Sequence, residues 1–255
     1  QKQRRQQAGM TFWDHLDVLR ALFLRCLAIT VVCATVAFCF RDEIFTVVLA
    51  PQHSDFLTYR LFAALGNPVS DFHVSLINTA LAQQFIVHMQ VSMAIGVIVT
   101  SPWWVFELIR FVLPALYSHE RRAALPAFVA GYLMFIIGIA VSYFILFPLT
   151  FRFLGTYQVS ADIPNCITLS SYISTLCSLS LAMGLVFELP VVCWMLGRLV
   201  VLHASMLRTV RRQAVVVILV AAAIITPTGD AFTLLLVSLP IWLLYEISIF
   251  LLPEE

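Results

Sequence analysis

The chain has very few charged residues. Lys, Arg, Asp and Glu make up only 11% of its 255 residues, whereas soluble globular domains carry about 25%. Apolar residues make up 61%, so too little polar surface remains to cover a water-facing exterior. This composition excludes a soluble domain, a disordered chain and a collagen-like repeat, and it predicts an integral membrane protein.

Lysine is almost absent, since Lys2 is the only one in the chain. A nucleotide-binding loop of the GxxxxGK[ST] type is therefore excluded, because that loop needs its lysine to contact the phosphates. The net charge is +1, and no basic block is interleaved with aromatic residues. We therefore expect no nucleic-acid partner.

Motifs for catalysis and metal binding are also missing. His119-Glu120 begins like the zinc motif HExxH, but position 123 is Ala, so the second histidine ligand is lacking. Asp230 after Gly229 has no second intramembrane aspartate with which to share a proton. No Gly-x-Ser-x-Gly elbow occurs. We therefore expect a protein that is not an enzyme and that needs no metal or cofactor, and the six cysteines, mostly within apolar runs, predict no disulfide framework.

Long apolar runs are what the sequence does contain. A helix that crosses a membrane needs about 20 mostly apolar residues, and charges fall where such helices end. The runs predict an all-α, polytopic membrane protein of one domain with six transmembrane helices, at about 21–40, 85–106, 123–148, 172–196, 213–226 and 231–250. The last two are short, and they could form a core-buried pair, a re-entrant unit or a hairpin in a locally thinned bilayer.

Basic residues are distributed unequally between the two sides of these spans. Three fall on one side, at Arg41, Arg60 and Arg152, and twelve on the other, namely Lys2, Arg4, Arg5, Arg20, Arg25, Arg110, Arg121, Arg122, Arg198, Arg208, Arg211 and Arg212. Cytoplasmic segments carry the excess of Lys and Arg, so both termini are predicted to be cytoplasmic. The first apolar run lacks a small-residue cleavage pattern and is followed by five more, so we expect no cleaved secretion signal.

A few ionisable side chains lie within the apolar runs, where a charge costs at least about 2.5–3.5 kcal/mol near a helix centre. Glu188 stands two residues before Pro190, which frees a backbone carbonyl and opens room for water or a donor. Glu188 either lies in a hydrated groove or pairs with His88 or Gln90. Glu107 and Glu246 lie closer to span ends and are interpreted as interfacial carboxylates, while Arg25 is expected to reach the headgroups.

The richest cytoplasmic cluster covers residues 111–122, in which Glu120 stands beside Arg121 and Arg122 among apolar and aromatic residues. An acid in a partly dry loop can accept two parallel hydrogen bonds from an arriving guanidinium group. The alternative is that Glu120 only neutralises its neighbours, as a surface pair worth about 0–1 kcal/mol.

The sequence resembles the TatC family, the core subunit of the twin-arginine protein translocase, over nearly its full length. The motifs that carry the resemblance, in order along the chain, are Phe12-Trp13-Asp14-His15-Leu16 with Leu19-Arg20, Ala50-Pro51, Ser101-Pro102, Phe111 to Pro114, Leu116-Tyr117, His119-Glu120-Arg121-Arg122, Phe147-Pro148, Phe187-Glu188-Leu189-Pro190, Thr226-Pro227 with Asp230, and Pro240 with Tyr245-Glu246. Any one of them is common, whereas their order and spacing are specific.

The resemblance implies a receptor for the twin-arginine signal peptides of folded cargo, in a translocase driven by the transmembrane proton gradient. Glu120 would contact the arginine pair, in a site shaped by His119, Arg121, Arg122, Phe111, Pro114, Leu116 and Tyr117. Arg20 and the N-terminal segment would form the other wall. The family has a glutamate where this chain has Val18; Asp14 shares the helical face of that position and Asp17 precedes it, so either could supply the carboxylate.

The resemblance further implies an intramembrane groove around Glu188, to which we assign Gln90 and Glu107, and contacts with single-span partner subunits at the last two spans. Those contacts would involve Thr226, Pro227, Asp230, Tyr245 and Glu246, and structural roles fall to Pro51, Pro102, Pro148 and Pro190. The expected setting is the cytoplasmic membrane of a prokaryote, in a homo- and hetero-oligomer in contact with lipids. Two alternatives stay open: a proton-coupled small-solute transporter that uses Glu188, Glu107 and His88, and a passive scaffold for other membrane subunits.

Overall fold

The computed structural model describes residues 12–64, 74–112, 124–158, 160, 165–198, 202–227 and 229–252. In these ranges the chain is almost entirely helical. The α-helices are α1 (Phe12–Cys39), α2 (Arg41–Leu49), α3 (Leu57–Ala64), α4 (Gln83–Val112), α5 (Ala124–Val141), α6 (Phe147–Thr156), α7 (Leu169–Val186), α8 (Leu189–Arg198), α9 (Ala204–Thr209), α10 (Arg211–Ile225) and α11 (Ala231–Leu251). A 3₁₀ turn covers Ala50–Gln52 and a π-helical segment covers Ser142–Leu146.

Two short strands complete the described structure. Strand β1 (Leu76–Ile77) pairs in parallel with β2 (Ile167–Thr168), with Leu76 opposite Ile167. Strand β1 belongs to the loop before α4 and β2 to the loop before α7. Their pairing therefore links two parts of the chain that are distant in sequence, at one end of the bundle.

Five helical segments are long and apolar enough to cross a membrane: Leu16–Cys39, Gln83–Leu108, Pro126–Thr156, Leu169–Arg198 and Ala231–Leu251. They correspond to five of the six predicted spans, which makes the chain an all-α, polytopic membrane protein. The remaining run, predicted at 213–226, is the helix α10 of 15 residues. At 1.5 Å per residue α10 is about 22 Å long, which is less than the roughly 30 Å of a hydrocarbon core.

Proline residues explain several irregularities of these helices. Proline has no N–H, so the carbonyl four residues earlier loses its helical donor. Pro102 lies inside α4, and there the Ser101 hydroxyl donates to the Ile98 carbonyl at 2.7 Å. Pro148 follows the π-helical segment, and the Thr58 hydroxyl donates to the Phe144 carbonyl. Each freed carbonyl therefore gains a side-chain donor.

Helices α1 and α4 form the most extensive pair in the described structure. They approach closely at Gly96, where an added Cβ would lie 2.9 Å from the Thr30 carbonyl oxygen. Beside this crossing, the Thr30 hydroxyl lies 2.9 Å from that of Thr100 and accepts a hydrogen bond from the Trp104 indole at 3.0 Å. Small residues and polar pairs are what hold helices together in lipid, where no hydrophobic force acts between them.

Helices α5 and α7 approach each other even more closely. A Cβ at Gly138 would lie 2.5 Å from the Met183 carbonyl oxygen. The main core surrounds this crossing and includes Ile173, Leu179 and Met183, all fully buried. Helix α11 then packs on α8 and α10, so the last hairpin lies against the second half of the bundle.

The end of the bundle that contains α2 and α3 is closed by three tyrosines, which we call the tyrosine cap (Tyr59, Tyr143 and Tyr172). The Tyr143 hydroxyl donates to the Val47 carbonyl at 2.6 Å, and that of Tyr172 donates to the Val48 carbonyl at 3.0 Å. The Tyr59 hydroxyl lies 3.2 Å from the Pro51 carbonyl and 3.0 Å from the Pro148 carbonyl. The cap therefore fastens α2, α3 and the turn at Pro51 to the spanning helices.

Candidate functional site

Most of the loop predicted to read the signal peptide lies outside the described residues. That applies to Pro114, Leu116, Tyr117, His119, Glu120, Arg121 and Arg122. Phe111 is described, in the last turn of α4, and it is half-buried. The structure therefore places the point at which this loop leaves the bundle.

The opposite wall of the predicted site lies on α1. Asp17 and Arg20 are both exposed on this helix. Asp14 belongs to the first turn of α1, and its side chain lies outside the described part. An exposed acid and an exposed arginine near the start of α1 leave both side chains accessible to a ligand.

Glu107 connects these two walls. Its side chain is only 2% exposed, and its carboxylate lies 3.4 Å from Arg25 Nη2 on α1 and 3.8 Å from Arg110 Nη1 on α4. Glu107 lies at the end of the membrane-spanning segment Gln83–Leu108, as the sequence predicted, and its carboxylate is buried between helices. Arg25, which was expected to reach the headgroups, remains 51% exposed and also pairs with Glu107. A buried carboxylate needs such partners to stay charged, because burial removes its hydrogen bonds with water.

The ion pair sets the geometry of the site. Arg20 lies five residues before Arg25, about 7 Å along α1, and Phe111 lies four residues after Glu107, about 6 Å along α4. The start of α1 and the beginning of the loop after α4 therefore lie side by side at one end of the bundle. A surface that contains the exposed Asp17 and Arg20 and the half-buried Phe111 can bind a cationic peptide segment through its carboxylate.

Glu188 lies at the break between α7 and α8. The α7 helix ends at Val186 and α8 begins at Leu189, with Pro190 buried in its first turn. Glu188 Oε1 is buried without a hydrogen-bond partner, and Oε2 faces Gly131 of α5, where an added Cβ would lie 3.0 Å away. The carboxylate thus occupies space left by a glycine and retains an unused acceptor.

The alternative pairing of Glu188 with His88 or Gln90 does not occur. His88 Nε2 is itself buried without a partner, and the His88 ring stacks on Phe38 with centroids 3.9 Å apart. Gln90 is half-buried near the other end of α4, about 26 Å along the helix axis from Glu107. The predicted set of Glu188, Gln90 and Glu107 is therefore not brought together in one groove, because Glu107 faces α1 and Gln90 lies at a different depth.

The residues predicted to contact partner subunits divide between the two ends of α11. Three of them lie at its start, namely the buried Thr226, the exposed Pro227 and the half-buried Asp230. Asp230 is the N-cap of α11, and its Oδ1 atom accepts a hydrogen bond from the Thr233 N–H at 2.7 Å. Tyr245 and Glu246 lie about 24 Å further along, where Tyr245 donates to the Leu207 carbonyl and Glu246 pairs with Arg211, each at 2.7 Å. They form two separate places, and the second holds α11 to α9 and α10 within the chain.

Sequence reasoning missed the Thr30, Thr100 and Trp104 cluster, which fixes α1 against α4 just beyond the Arg25–Glu107 pair. Within the first two spans, the polar residues singled out for a role were Arg25, His88, Gln90 and Glu107. The sequence did contain a signal for this contact, because the hydrogen-bonding side chains of Thr30, Thr100 and Trp104 occur in two neighbouring apolar runs. Such side chains join helices in a membrane.

The fold and the site together define a polytopic α-helical membrane protein. It has an ion pair between its first two long helices, α1 and α4, and a carboxylate, Glu188, at the break between α7 and α8.

The family model of the Sec-independent protein translocase protein (TatC) matches residues 14–240. The TatC protein of Desulforapulum autotrophicum is 31% identical over 96% of this chain and 85% of its own length, and that of Aquifex aeolicus is 36% identical over 75% of this chain and 80% of its own. A crystal structure of the twin arginine translocase receptor TatC superposes with a TM-score of 0.77 at 31% identity and covers 93% of this chain and 97% of that one. The chain belongs to the TatC family, which consists of protein translocase components and not of enzymes.

Proposed function

We propose that this chain is the receptor for twin-arginine signal peptides and the core subunit of a translocase that exports folded proteins with the energy of the proton gradient. Family membership supports this function, and so does the likeness to a structure described as a twin arginine translocase receptor. The observation that connects the proposal to specific residues is the Arg25–Glu107 pair, because it holds the N-terminal half of α1, which includes Arg20, against the end of α4.

In this proposal the two arginines of the signal peptide bind at that end of the bundle. Glu120 accepts a forked pair of hydrogen bonds from one guanidinium group. Phe111 and the loop residues Pro114, Leu116, Tyr117, His119, Arg121 and Arg122 shape the site, while Arg20 with Asp14 or Asp17 forms the facing wall. The apolar part of the signal peptide then lies along the spanning helices.

We propose that this end of the bundle faces the cytoplasm. Arg20, Arg25 and Arg110 flank it. Of the other arginines on the predicted cytoplasmic side, those in the described residues stand at the end of α8 (Arg198), on α9 (Arg208) and on α10 (Arg211 and Arg212). The positive-inside rule then supports cytoplasmic termini. We take α10 as the sixth span, in a locally thin bilayer, and bacterial relatives support the cytoplasmic membrane of a prokaryote as the location.

Glu188 and the two ends of α11 are the proposed regions for partner subunits and cargo passage. Glu188 has an unused acceptor oxygen within the membrane, where a donor from an arriving segment would be strongly favoured. Thr226, Pro227 and Asp230 form one candidate contact for single-span partners, and Tyr245 with Glu246 forms another. A homo- and hetero-oligomer would place these surfaces against other subunits.

The alternative of a proton-coupled small-solute transporter is not supported. The relatives are named as protein translocase components, and Glu188 and His88 do not form a relay pair, since the buried Oε1 and Nε2 atoms have no partner.

The test is site-specific photocrosslinking from positions 111–122 and from Arg20 to a peptide with an Arg-Arg signal. The reconstituted full chain should crosslink to the Arg-Arg peptide from both walls and much less to a Lys-Lys peptide. Crosslinks of equal yield to both peptides, or none from either wall, would contradict the proposal. A crosslinker at Tyr157, which is exposed at the end of α6, is the matched control and should give no product.

A further inference from the structure

A cavity of about 480 Å³ lies between α2, α4, α5 and α7, at the end of the bundle with the tyrosine cap. Its walls are mostly aliphatic and include Val47, Val91, Ile95 and Leu176. Glu43 is the charged residue among those described that line it. The volume lies within the 300–1,000 Å³ of ligand pockets in proteins.

A polar groove of about 560 Å³ lies next to this cavity. Arg41, Asp42, Glu43 and His88 line the groove, together with Phe38 and its neighbours at the end of α1. Glu43 lines both spaces. The apolar cavity and the groove, which has charges of both signs, therefore meet at the Glu43 carboxylate, beside the end of α1.

Several groups of the groove have unused capacity to bind a ligand. Buried His88 Nε2 has no hydrogen-bond partner. Arg41 uses Nε on Asp42, at 3.2 Å, which leaves its two terminal nitrogens as donors. Glu43 makes no ion pair with any residue in the described ranges. The Arg41 donors for an anion and the Glu43 acceptor for a cation therefore line the same groove, and the buried His88 nitrogen lies beside them.

We propose that the cavity and the groove together bind one zwitterionic phospholipid of the ethanolamine type. Its acyl chain occupies the cavity, its phosphate faces Arg41 and His88, and its ammonium group faces Glu43. A lipid with a purely anionic headgroup fits less well, because Glu43 stands at the junction of the two spaces. The proposal does not depend on the signal-peptide site, which involves other residues.

The size of the cavity favours a lipid chain over the transmembrane helix of a partner. A helix of 10–12 Å diameter occupies roughly 400–600 Å³ for each turn, so the cavity holds about one turn. An acyl chain is narrow enough to enter the cavity lengthwise, and its headgroup then reaches the groove.

The test is native mass spectrometry of the full chain after reconstitution in vesicles with equal amounts of ethanolamine and glycerol phospholipids. The wild-type chain should retain an ethanolamine lipid preferentially. Glu43→Gln should reduce this preference by about fivefold, the effect of losing one exposed ion pair. Asp55→Asn is the matched control, because Asp55 pairs with Arg60 at 3.7 Å outside both spaces, and it should leave the preference unchanged.

A second variant tests the cavity itself. Val47→Trp should fill the chamber and lower the retention of both lipids, whereas Val99→Trp on the exposed face of α4 should not. Equal retention of the two lipids by the wild-type chain would overturn the proposal, and so would an unchanged preference in Glu43→Gln. If Val47→Trp does not fold, as judged by its melting curve, the Glu43→Gln comparison decides alone.

Discussion

Arg25 on α1 and Glu107 on α4 form an ion pair between Nη2 and Oε2 at 3.4 Å, in which the acid is 2% exposed and the base 51%. The pair is asymmetric, because the acid depends on its partners for charge compensation while the arginine can still reach water. Replacement of the arginine should therefore lower the free energy of unfolding mainly because the buried carboxylate loses its compensating charge.

Arg25→Gln should lower the free energy of unfolding by about 1–3 kcal/mol, less than the 3–5 kcal/mol of a fully buried pair, because Arg110 remains near the acid. Thermal melting in detergent measures this loss. The double variant Arg25→Gln/Glu107→Gln should be less destabilised than the sum of the single variants. Arg60→Gln, which breaks an exposed pair with Asp55, is the control, and a loss as large as that of Arg25→Gln would refute a special role for Glu107.

Glu120→Ala should weaken binding of an Arg-Arg signal peptide by about tenfold or more, as expected for a lost charge-assisted hydrogen bond. Binding of a Lys-Lys peptide should change far less, because an ammonium group cannot make the forked contact. Fluorescence titration with both peptides measures the difference. Glu246→Gln should leave both affinities unchanged, and equal losses for the two peptides in Glu120→Ala would remove Glu120 as the guanidinium reader.

Glu188→Gln should leave membrane insertion and melting intact but lower transport of folded cargo, because the amide fits the same volume without the charge. Gly131→Ala should act in the same direction, since its methyl group would lie 3.0 Å from Oε2 and displace the carboxylate. A vesicle import assay measures both variants. Full transport by Glu188→Gln would make this residue merely structural.

Tyr59→Phe should destabilise the chain by about 1–2 kcal/mol, because the Pro51 and Pro148 carbonyls lose a donor. Burial raises the pKa of the Tyr59 hydroxyl. Its stabilisation is therefore complete below the unfolded value of about 10 and decreases as the pH rises above it.

Melting curves between pH 8 and about 11 should accordingly show a smaller decline for Tyr59→Phe than for the wild-type chain. Tyr157→Phe is the control, because Tyr157 is exposed. Identical pH dependence of wild type and Tyr59→Phe would contradict the burial argument.

The sequence predicted the helical architecture well, because long apolar runs admit few other structures in a membrane. It also predicted a freed carbonyl and open space near Glu188, because Pro190 lacks the N–H of the helical ladder, and the structure has the break between α7 and α8 at this place. The predicted first span begins at residue 21, whereas α1 begins at Phe12, because residues 12–20 include charged residues and so do not continue the apolar run.

The partners of individual polar side chains could not be predicted from the sequence. Glu107 lies near a predicted span end, yet the crossing of α1 and α4 at Gly96 brings it against Arg25. Such pairings depend on how two helices are rotated about their axes, and hydropathy carries no information on that rotation. The grouping of Gln90 with Glu107 failed for a different reason, because the two residues lie about 26 Å apart along the same helix α4.

The tyrosine cap joins side-chain donors to main-chain acceptors. Every residue has a carbonyl, so Val47 and Val48 could be exchanged for other residues over evolutionary time without loss of an acceptor. The hydroxyls of Tyr59, Tyr143 and Tyr172 have no such substitute of equal reach. Natural variation at this end of the molecule should therefore accumulate on the accepting segment, while the donating positions remain fixed.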